Sequence, residues 1–289
     1  MDQNDIFYIN LDRVPERRAF VDAHFAERGL GHVMRWSATD GQLSDWRATC
    51  GYRAGTGERW GLRQSEIACF ESHRRIWAHA WNNGLAAALI FEDDLHLSRD
   101  AADVVRRLMA SPESFDVVKI DYSPKVLPYG ATDQINGVNV RAVLETAPSA
   151  GGYIVSRSGC RKLLDWSQTY SDHLDDFIFR PRPNWRVFQT FPALAIQLAF
   201  DAPERVEGMA PVLTKSERTV DPGTNREPYK GPVWYRLRKE ARNGMRKLKW
   251  WLWKHSRMLA SGGVLATPPL ADDLTDGPAQ GHGPKRGWS

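Results

Sequence analysis

The 289-residue sequence predicts an α/β fold of the Rossmann type, with a mainly parallel sheet and helices on both of its faces. Apolar runs of strand length alternate along the chain with segments that have helical periodicity. One run, residues 86–91, shows no polar alternation, as expected for a strand that is buried on both faces of the sheet. Hydrophobic residues make up 42% of the chain, so the chain can form the core of one large domain or two small ones.

The N-terminal half contains the clearest helical signals. The first helix has Pro15 in its first turn and is closed by Gly29, residues that are typical of those two positions. The second helix carries an apolar stripe that includes Ile67, Phe70 and Trp77. In chain order, we predict a strand at residues 6–11, a helix at 13–28, a strand at 32–37, a polar loop at 40–61, a helix at 63–81, a strand at 86–91 and a helix near 100–110.

The next segments carry shorter patterns, and no internal repeat is present. Polar residues and glycines separate short apolar runs, which is typical of strands joined to short helices. We predict strands at residues 115–120, near 126–129, at 138–144 and at 152–156, helices at 158–166 and 173–180, and a final segment at 187–197 that closes the globular part.

The net charge of +4 is unevenly distributed. Residues 1–214 carry 24 Lys and Arg against 28 Asp and Glu, whereas residues 215–257 carry 13 against 4 and residues 258–289 carry 2 against 3. We therefore divide the chain into a globular domain (1–214), a basic aromatic segment (215–257) and a tail (258–289). Gly and Pro account for about a third of residues 261–289, so the tail is expected to be disordered.

The cysteines Cys50, Cys69 and Cys160 are widely spaced, with no CxxC pair. This pattern disfavours a disulfide framework and a zinc site of the usual spacing, and it fits a reducing cytosol. The sequence enters a strand-like segment almost at once, without a basic and apolar leader, so no signal peptide is expected. No apolar stretch approaches the roughly 18 residues that are needed to span a bilayer. We expect a soluble or peripheral protein.

Three adjacent acids, Glu92, Asp93 and Asp94, end the apolar run of residues 86–91. An unpaired ionised carboxylate is costly to bury, so the acids should lie at the carboxyl end of the strand, where open α/β sheets bind their ligands. Three close acids favour a divalent cation, and their hard oxygens suit Mg²⁺ or Mn²⁺. A solvated turn that opens the next helix is the alternative interpretation.

A set of motifs follows in order over residues 5–200. They are Ile9-Asn10-Leu11-Asp12-Arg13 with Glu16-Arg17-Arg18, Ala38-Thr39-Asp40-Gly41, Ser65-Glu66-Ile67-Ala68-Cys69-Phe70-Glu71-Ser72-His73, Leu89-Ile90-Phe91-Glu92-Asp93-Asp94, Gly151-Gly152-Tyr153-Ile154-Val155-Ser156 with Cys160-Arg161-Lys162-Leu163-Leu164, His173-Leu174-Asp175, and Pro192 to Gln197. Together the motifs resemble glycosyltransferase family 25, which contains bacterial lipopolysaccharide galactosyltransferases and collagen-modifying enzymes. Ser65 and Ala68 stand where the family has glycines, and His173 stands where it has proline.

The resemblance implies a GT-A-type fold, a nucleotide-sugar donor (often UDP-galactose) and inversion at the anomeric carbon. Glu92-Asp93-Asp94 resembles a D-x-D metal motif. In an extended segment, Glu92 and Asp94 face one side and Asp93 the other. We therefore assign Asp94 as a direct ligand of Mn²⁺ or Mg²⁺. Glu92 would bind the ribose or a metal-bound water, and Asp93 would add a ligand or orient the other two acids.

The residues that follow the first strand include Asn10, Arg13 and Arg17, and we predict that these three contact the nucleotide. The base and phosphates of a nucleotide usually bind at this point of an α/β sheet, and Arg matches the geometry of a diphosphate. A solvated helix face is the alternative for the arginines. Gly151 and Gly152 would allow close approach of the donor sugar, although tight packing explains both glycines equally well.

Transfer also requires a base that removes the proton of the acceptor hydroxyl. Asp175 matches the aspartate of the family and ranks first, with Asp176 second. The alternative is that Asp172 and Asp175 only cap and charge the start of that short helix.

The resemblance also suggests residues that line the site. Glu66, Ser72 and His73 lie on one predicted helix and match a family motif, and Gln197 ends the last motif. A lone helical histidine is more often structural than functional, so a structural role for His73 is the alternative.

Residues 234–257 contain Trp234, Tyr235 and Trp250, Trp251 and Trp253 among nine Lys and Arg and one acid, Glu240. Helical spacing of the apolar residues between cations is typical of an interfacial helix on anionic lipid. A nucleic-acid-binding patch and a helix packed on the globular domain are the alternatives.

We predict a metal-dependent inverting glycosyltransferase that moves a hexose from a UDP-sugar to a lipopolysaccharide or another cell-envelope saccharide. Galactose is the first candidate for the hexose. The enzyme would work in the cytoplasm, peripherally on the inner face of the cytoplasmic membrane, where residues 234–257 contact anionic lipid. The alternatives are a non-catalytic module that binds nucleotide sugars or saccharides, and a nucleic-acid-binding protein. The acidic balance of residues 1–214 argues against nucleic acid as a partner.

Overall fold

A computed structural model describes residues 5–43, 45–201, 206–207, 209, 211–214, 229–249 and 255–275. The strands are β1 (Ile6–Asn10), β2 (Met34–Ser37), β3 (Ala87–Glu92), β4 (Leu95–Leu97), β5 (Val117–Lys119), β6 (Leu127–Ile135), β7 (Val138–Val143), β8 (Gly152–Ser156), β9 (Val187–Thr190), β10 (Ala195–Gln197) and β11 (Val264–Ala266). The helices are α1 (Pro15–Glu27), α2 (Gln64–Asn82), α3 (Ala101–Met109), α4 (Arg157–Trp166), α5 (Leu174–Ile178), α6 (Pro211–Thr214), α7 (Val233–Lys249), α8 (His255–Ala260) and α9 (Asp272–Thr275). None of these helices is long and apolar enough to cross a bilayer.

The described strands form a nine-stranded sheet in the order β11-β6-β7-β9-β5-β8-β3-β1-β2, and β4 pairs separately with β10. The α/β class agrees with the prediction. Within the large sheet, β1 pairs in parallel with β2 and β3, and β5 with β9, whereas the other five pairings are antiparallel. Strand directions are therefore more mixed than the mainly parallel sheet that the sequence predicts.

A tight turn explains part of this difference. Asn136 and Gly137 both have positive φ, 49° and 75°, and they join β6 to β7 as a two-residue hairpin. Such a turn requires antiparallel strands. The Asn-Gly pair between the two predicted strands was the signal for this direction.

Helices cover both faces of the sheet, as predicted. On one face, α2 and α4 pack on β1, β3 and β8 through a cluster that contains Phe70, Trp77 and Leu163. On the other face, α1 and α3 pack through Phe25 and Val105. The alternate residues of β1 and β3 enter the two cores, which is why the apolar run of β3 shows no polar alternation. The sheet is thereby held rigidly, and the acids that follow β3 lie at its carboxyl edge.

The prediction of a disordered tail from residue 258 is wrong for residues 258–275. The strand β11 pairs antiparallel with β6, and Met258, Ala271 and Leu274 are buried. Pairing with β11 satisfies the backbone groups of β6, which would otherwise be an open sheet edge. Residues 276–289 lie outside the described residues.

Candidate functional site

A cavity of about 520 Å³ opens at the carboxyl ends of β1 and β3, a volume in the range of small-molecule sites. Of the residues predicted from the sequence, the cavity is lined by Arg13, Arg17, Ser72, His73, Glu92, Asp93, Asp94, Asp175 and Gln197. Five other predicted residues do not line it: Asn10, Glu66, Gly151, Gly152 and Asp176.

The three acids at the end of β3, Glu92, Asp93 and Asp94, point in alternate directions. Gln197 Nε2 donates hydrogen bonds to Glu92 Oε2 at 3.0 Å and to Asp94 Oδ1 at 3.4 Å, so these two carboxylates lie on one side. Asp93 lies on the other side, where it accepts hydrogen bonds of 2.7 Å from both Asn10 Nδ2 and Arg17 Nη1. The period of two along an extended chain accounts for this separation.

The electrostatics of Asp94 suit a cation. Burial raises the pKa of Asp94 to about 6, and the negative charge of Asp93 adds to the effect, while Arg17 and the Gln197 amide oppose it. A carboxylate that is poorly solvated gains the most from a bound positive charge. The pair Glu92 and Asp94 offers two hard oxygen ligands, and Mg²⁺ typically keeps its other positions for water and phosphate. The donor set therefore fits Mg²⁺ or Mn²⁺.

Of the three predicted nucleotide residues, Asn10 and Arg17 bind Asp93. Asn10 is fully buried behind Asp93, and Arg17 is 6% exposed and also donates to the backbone oxygen of Val212 at 2.9 Å. Arg13 forms an ion pair of 2.9 Å with Asp40 at the rim of the cavity. Arg17 thus pairs with Asp93, because a buried carboxylate requires a cation close to it.

The two glycines are explained by packing. A Cβ on Gly151 would lie 3.1 Å from a methyl carbon of Leu95 and 3.3 Å from Gln197 Cγ. A Cβ on Gly152 would lie 3.3 Å from Ile120. Both positions are more crowded than ordinary side-chain contacts allow. The structure therefore favours the packing alternative over direct contact with a donor sugar.

The two candidate bases occupy different places. Asp175 lines the cavity, and its carboxylate accepts hydrogen bonds from the backbone N–H groups of Ser149 at 3.1 Å and Asp176 at 2.9 Å. Asp176 lies outside the cavity lining and pairs with Arg59 at 3.3 Å. Burial and the charge of Asp175 raise the pKa of Asp176. Of the two acids, Asp175 is the one that an acceptor in the cavity could reach.

A buried polar network that the sequence reasoning missed holds Asp175 in place. Lys119 and Asp121 are both fully buried and form an ion pair at the end of β5. Lys119 Nζ donates to the backbone oxygen of Ser149 at 2.8 Å, and Ser149 Oγ donates to Asp121 Oδ2 at 2.5 Å. Lys and Asp at the end of an apolar strand were the available signal, since such residues are rarely buried without a partner.

The predicted residues of α2 have distinct structural roles. Ser72 Oγ accepts from the Thr39 N–H at 2.8 Å and donates to the backbone oxygen of Ala68 at 2.8 Å, which anchors the loop at the cavity rim. Glu66 accepts from the Arg63 N–H at 2.8 Å at the start of the helix and pairs with His173 at 3.1 Å. His73 is fully buried, and burial lowers its pKa to about 3. His73 is therefore a neutral side chain near pH 7 and too weak a base for proton abstraction.

Comparison with known proteins shows the family to which the chain belongs. The model of the family described as "Glycosyltransferase family 25 (LPS biosynthesis protein)" matches residues 3–178. The chain is 30% identical over 178 residues to the "Probable inactive glycosyltransferase 25 family member 3" of Bos taurus, a match that covers 56% of this chain and 28% of the bovine protein. It is 26% identical over 204 residues to "Lacto-N-neotetraose biosynthesis glycosyltransferase LgtE" of Neisseria meningitidis, covering 65% of this chain and 72% of that protein. The chain thus spans little more than a quarter of the animal relative but most of the bacterial one.

Proposed function

The chain belongs to glycosyltransferase family 25, and we propose that it transfers a hexose from a nucleotide sugar to a lipopolysaccharide or another cell-envelope saccharide. The observation that carries the proposal is the meeting of Glu92, Asp94 and Asp175 in one cavity at the carboxyl edge of the sheet. We take the fold to be of the GT-A type, and the α/β architecture with acids after β3 supports this assignment. The similarity to LgtE supports a saccharide acceptor.

Asp94 and Glu92 would hold a Mn²⁺ or Mg²⁺ ion, which would neutralise the charge that develops on the leaving diphosphate. Gln197 keeps the two carboxylates side by side through its shared amide N–H group. Asn10 and Arg17 fix the Asp93 carboxylate on the side of the segment opposite to Glu92 and Asp94. The site is thereby organised before the donor binds.

Asp175 would accept the proton of the acceptor hydroxyl. With inversion, the acceptor oxygen attacks the anomeric carbon from the face opposite the diphosphate, the new glycosidic bond forms as the bond to the diphosphate breaks, and the proton moves to the Asp175 carboxylate. The N–H groups of Ser149 and Asp176 hold that carboxylate in one orientation. We propose UDP-galactose as the donor because of the family resemblance.

A second candidate is a non-catalytic module that binds nucleotide sugars. Relatives of this chain include the bovine protein whose name describes it as probably inactive and a Homo sapiens protein, 31% identical, named "Inactive glycosyltransferase 25 family member 3". Those names describe those proteins, and the meeting of Glu92, Asp94 and Asp175 in the cavity of this chain favours catalysis.

Purified protein should bind UDP-galactose more tightly in Mn²⁺ than in EDTA, as measured by calorimetry, because Asp94 and Glu92 would hold the ion that attracts the diphosphate. Incubation with a panel of labelled nucleotide sugars and a crude glycolipid extract should label a glycolipid from one donor of the panel. Binding without transfer of any sugar would favour the non-catalytic module. Equal affinity in Mn²⁺ and EDTA would contradict the metal assignment.

We further propose that α7 contacts anionic lipid on the inner face of the cytoplasmic membrane. One part of the helix packs on the domain. The ring centroids of Tyr235 and Trp60 lie 5.1 Å apart, and Arg242 Nη2 lies 2.7 Å from Glu58 Oε2. Leu237, Met245 and Leu248 remain more than half exposed. Apolar side chains next to exposed arginines suit an interface between lipid headgroups and water. Trp250, Trp251 and Trp253 lie outside the described residues.

Substituting Glu for Leu237, Met245 and Leu248 together should release the protein from anionic vesicles in co-sedimentation, because the change removes apolar insertion and adds negative charge. Deletion of the whole C-terminal region is a poorer test, since it would remove β11 from the sheet edge. Val126→Glu, at an exposed apolar side chain distant in sequence from α7, is the matched control and should pellet like wild type. High salt should weaken wild-type binding only in part, because screening affects the cations and not the apolar contacts. Equal pelleting of the triple variant and wild type would disprove the proposal.

A further inference from the structure

Three side chains of different chemistry meet on the wall of the cavity. Cys69 and His73 lie one turn apart on α2 and face Glu92 at the end of β3. Glu92 Oε1 lies 3.8 Å from Cys69 Sγ and 3.9 Å from His73 Nε2. One ligand atom of each residue lies within 4.8 Å of the other two. A thiol, an imidazole and a carboxylate thus lie close together on one wall of the cavity.

The imidazole provides an independent sign that a ligand belongs there. His73 is fully buried, and within the described part of the chain its Nε2 has no hydrogen-bond partner. A buried polar nitrogen is normally paired, so an unpartnered one calls for an explanation such as an ion. The other nitrogen, Nδ1, lies 2.9 Å from Tyr153 Oη, which also accepts from Trp77 Nε1 at 2.9 Å.

This arrangement allows the tautomer that a metal needs. The Tyr153 oxygen has two lone pairs, so it can accept from both Trp77 and a protonated Nδ1 of His73. Nε2 then carries the lone pair and points towards Glu92. A metal-bound histidine commonly donates its second N–H to a neighbouring oxygen in this way, which fixes the orientation of the ring.

We propose that Cys69, His73 and Glu92 bind one zinc ion, with its fourth position open to the cavity. A set of one sulfur, one nitrogen and one oxygen ligand suits zinc, whereas Mg²⁺ and Mn²⁺ prefer oxygen alone. Tetrahedral zinc with ordinary bond lengths places its ligand atoms about 3.3–3.7 Å apart. The observed separations therefore have to close by only a few tenths of an ångström up to about 1 Å, which side-chain rotation of the half-buried Cys69 and Glu92 can supply.

The zinc position differs from the one proposed for Mn²⁺ or Mg²⁺. Glu92 Oε1 faces Cys69 and His73, whereas Glu92 Oε2 accepts from Gln197 beside Asp94. Zinc would therefore share Glu92 with the proposed Mn²⁺ or Mg²⁺ ion, but Asp94 would not be a zinc ligand. Zinc binding is expected in the protein without any sugar nucleotide, so this inference can fail or hold independently of the proposed transfer.

The test is zinc binding to the full-length protein freed of metal, measured by competition with a chromophoric chelator. Wild type should bind one zinc ion, and Cys69→Ser should bind about 100-fold more weakly, because losing even a residue that only orients a ligand costs about 10- to 100-fold. Cys50→Ser is the matched control, since Cys50 is also a half-buried cysteine but lies outside the cavity lining. It should bind zinc like wild type. Equal affinity in Cys69→Ser and wild type would overturn the proposal.

Cobalt substitution identifies the ligand directly. With Co²⁺, wild type and Cys50→Ser should show a thiolate-to-cobalt charge-transfer band in the near ultraviolet, and Cys69→Ser should lack it. A band that persists in Cys69→Ser would overturn the assignment. Glu92→Gln tests the same site without altering α2: it should weaken zinc binding, whereas Asp94→Asn should not. Unchanged zinc affinity in Glu92→Gln would also contradict the site.

Discussion

Replacing Asp94 by Asn is expected to abolish sugar transfer, with a loss of roughly 10³-fold or more in turnover. The substitution keeps the shape of the side chain and its contact with Gln197 but removes the negative charge that would hold the metal ion. Transfer should be measured with saturating Mn²⁺ and compared with wild type in EDTA, which should be equally inactive. Asp133→Asn, at an exposed aspartate of the β6–β7 hairpin, is the matched control and should keep wild-type turnover. Full activity of the Asp94 variant would refute the metal assignment.

The same variant should be at least as stable as wild type in the absence of metal. The folded-state pKa of Asp94 is raised from its ordinary value to about 6, so the native state loses stability as the pH rises through that value. Asn has no such titration. In EDTA, the melting temperature of Asp94→Asn should equal or exceed that of wild type at about pH 7.5, and the difference should shrink at about pH 5. A variant that melts clearly lower at the higher pH would show that the charge of Asp94 stabilises the fold.

Asp175→Asn should lower turnover by roughly 10²-fold or more, while donor affinity stays close to that of wild type. The substitution removes the base but preserves the side-chain oxygen that accepts from Ser149. Steady-state kinetics with a saccharide acceptor and calorimetry with UDP-galactose would separate the two effects.

Asp176→Asn is the internal control for the assignment of the base. Asp176 is the neighbouring residue of the same helix, but it pairs with Arg59 and does not line the cavity. The decrease in turnover should therefore be smaller for Asp176→Asn than for Asp175→Asn. The reverse order would assign the base to Asp176. If neither variant is slower, the base lies elsewhere in the cavity, and the neutral His73 is a poor replacement because burial holds its pKa near 3.

Local sequence patterns predicted the elements that surround the site. The spacing of apolar residues placed α1, α2 and α3 within two residues of their actual ends, because an amphipathic helix must bury one face. The uninterrupted apolar run predicted that β3 is buried on both faces, and the cost of burying charge placed the acids at its end. Period-two geometry alone separated Glu92 and Asp94 from Asp93.

Structural features that depend on contacts between residues far apart in the sequence were not predictable in this way. Residues 258–275 are rich in Gly and Pro, yet β11 completes the edge of the sheet at β6. The direction of most strands in the large sheet depends on turns and on neighbouring strands. The alternation of residues within one strand does not show whether that strand pairs in parallel or antiparallel. Compositional rules describe an isolated segment, whereas a sheet edge can order any segment that pairs with it.

Patterns within single segments predicted an acidic pair at the end of a buried strand, an aspartate in a short later helix, and a helix that carries Cys69 and His73. The partners of these residues were set by the folded structure. It paired Arg17 with Asp93, buried Lys119 and Asp121 next to Ser149, and brought Glu92 to Cys69 and His73. This division arises because periodicity and the cost of burying charge act along a segment of a few residues. Partners separated by many residues are selected only when packing brings their elements together.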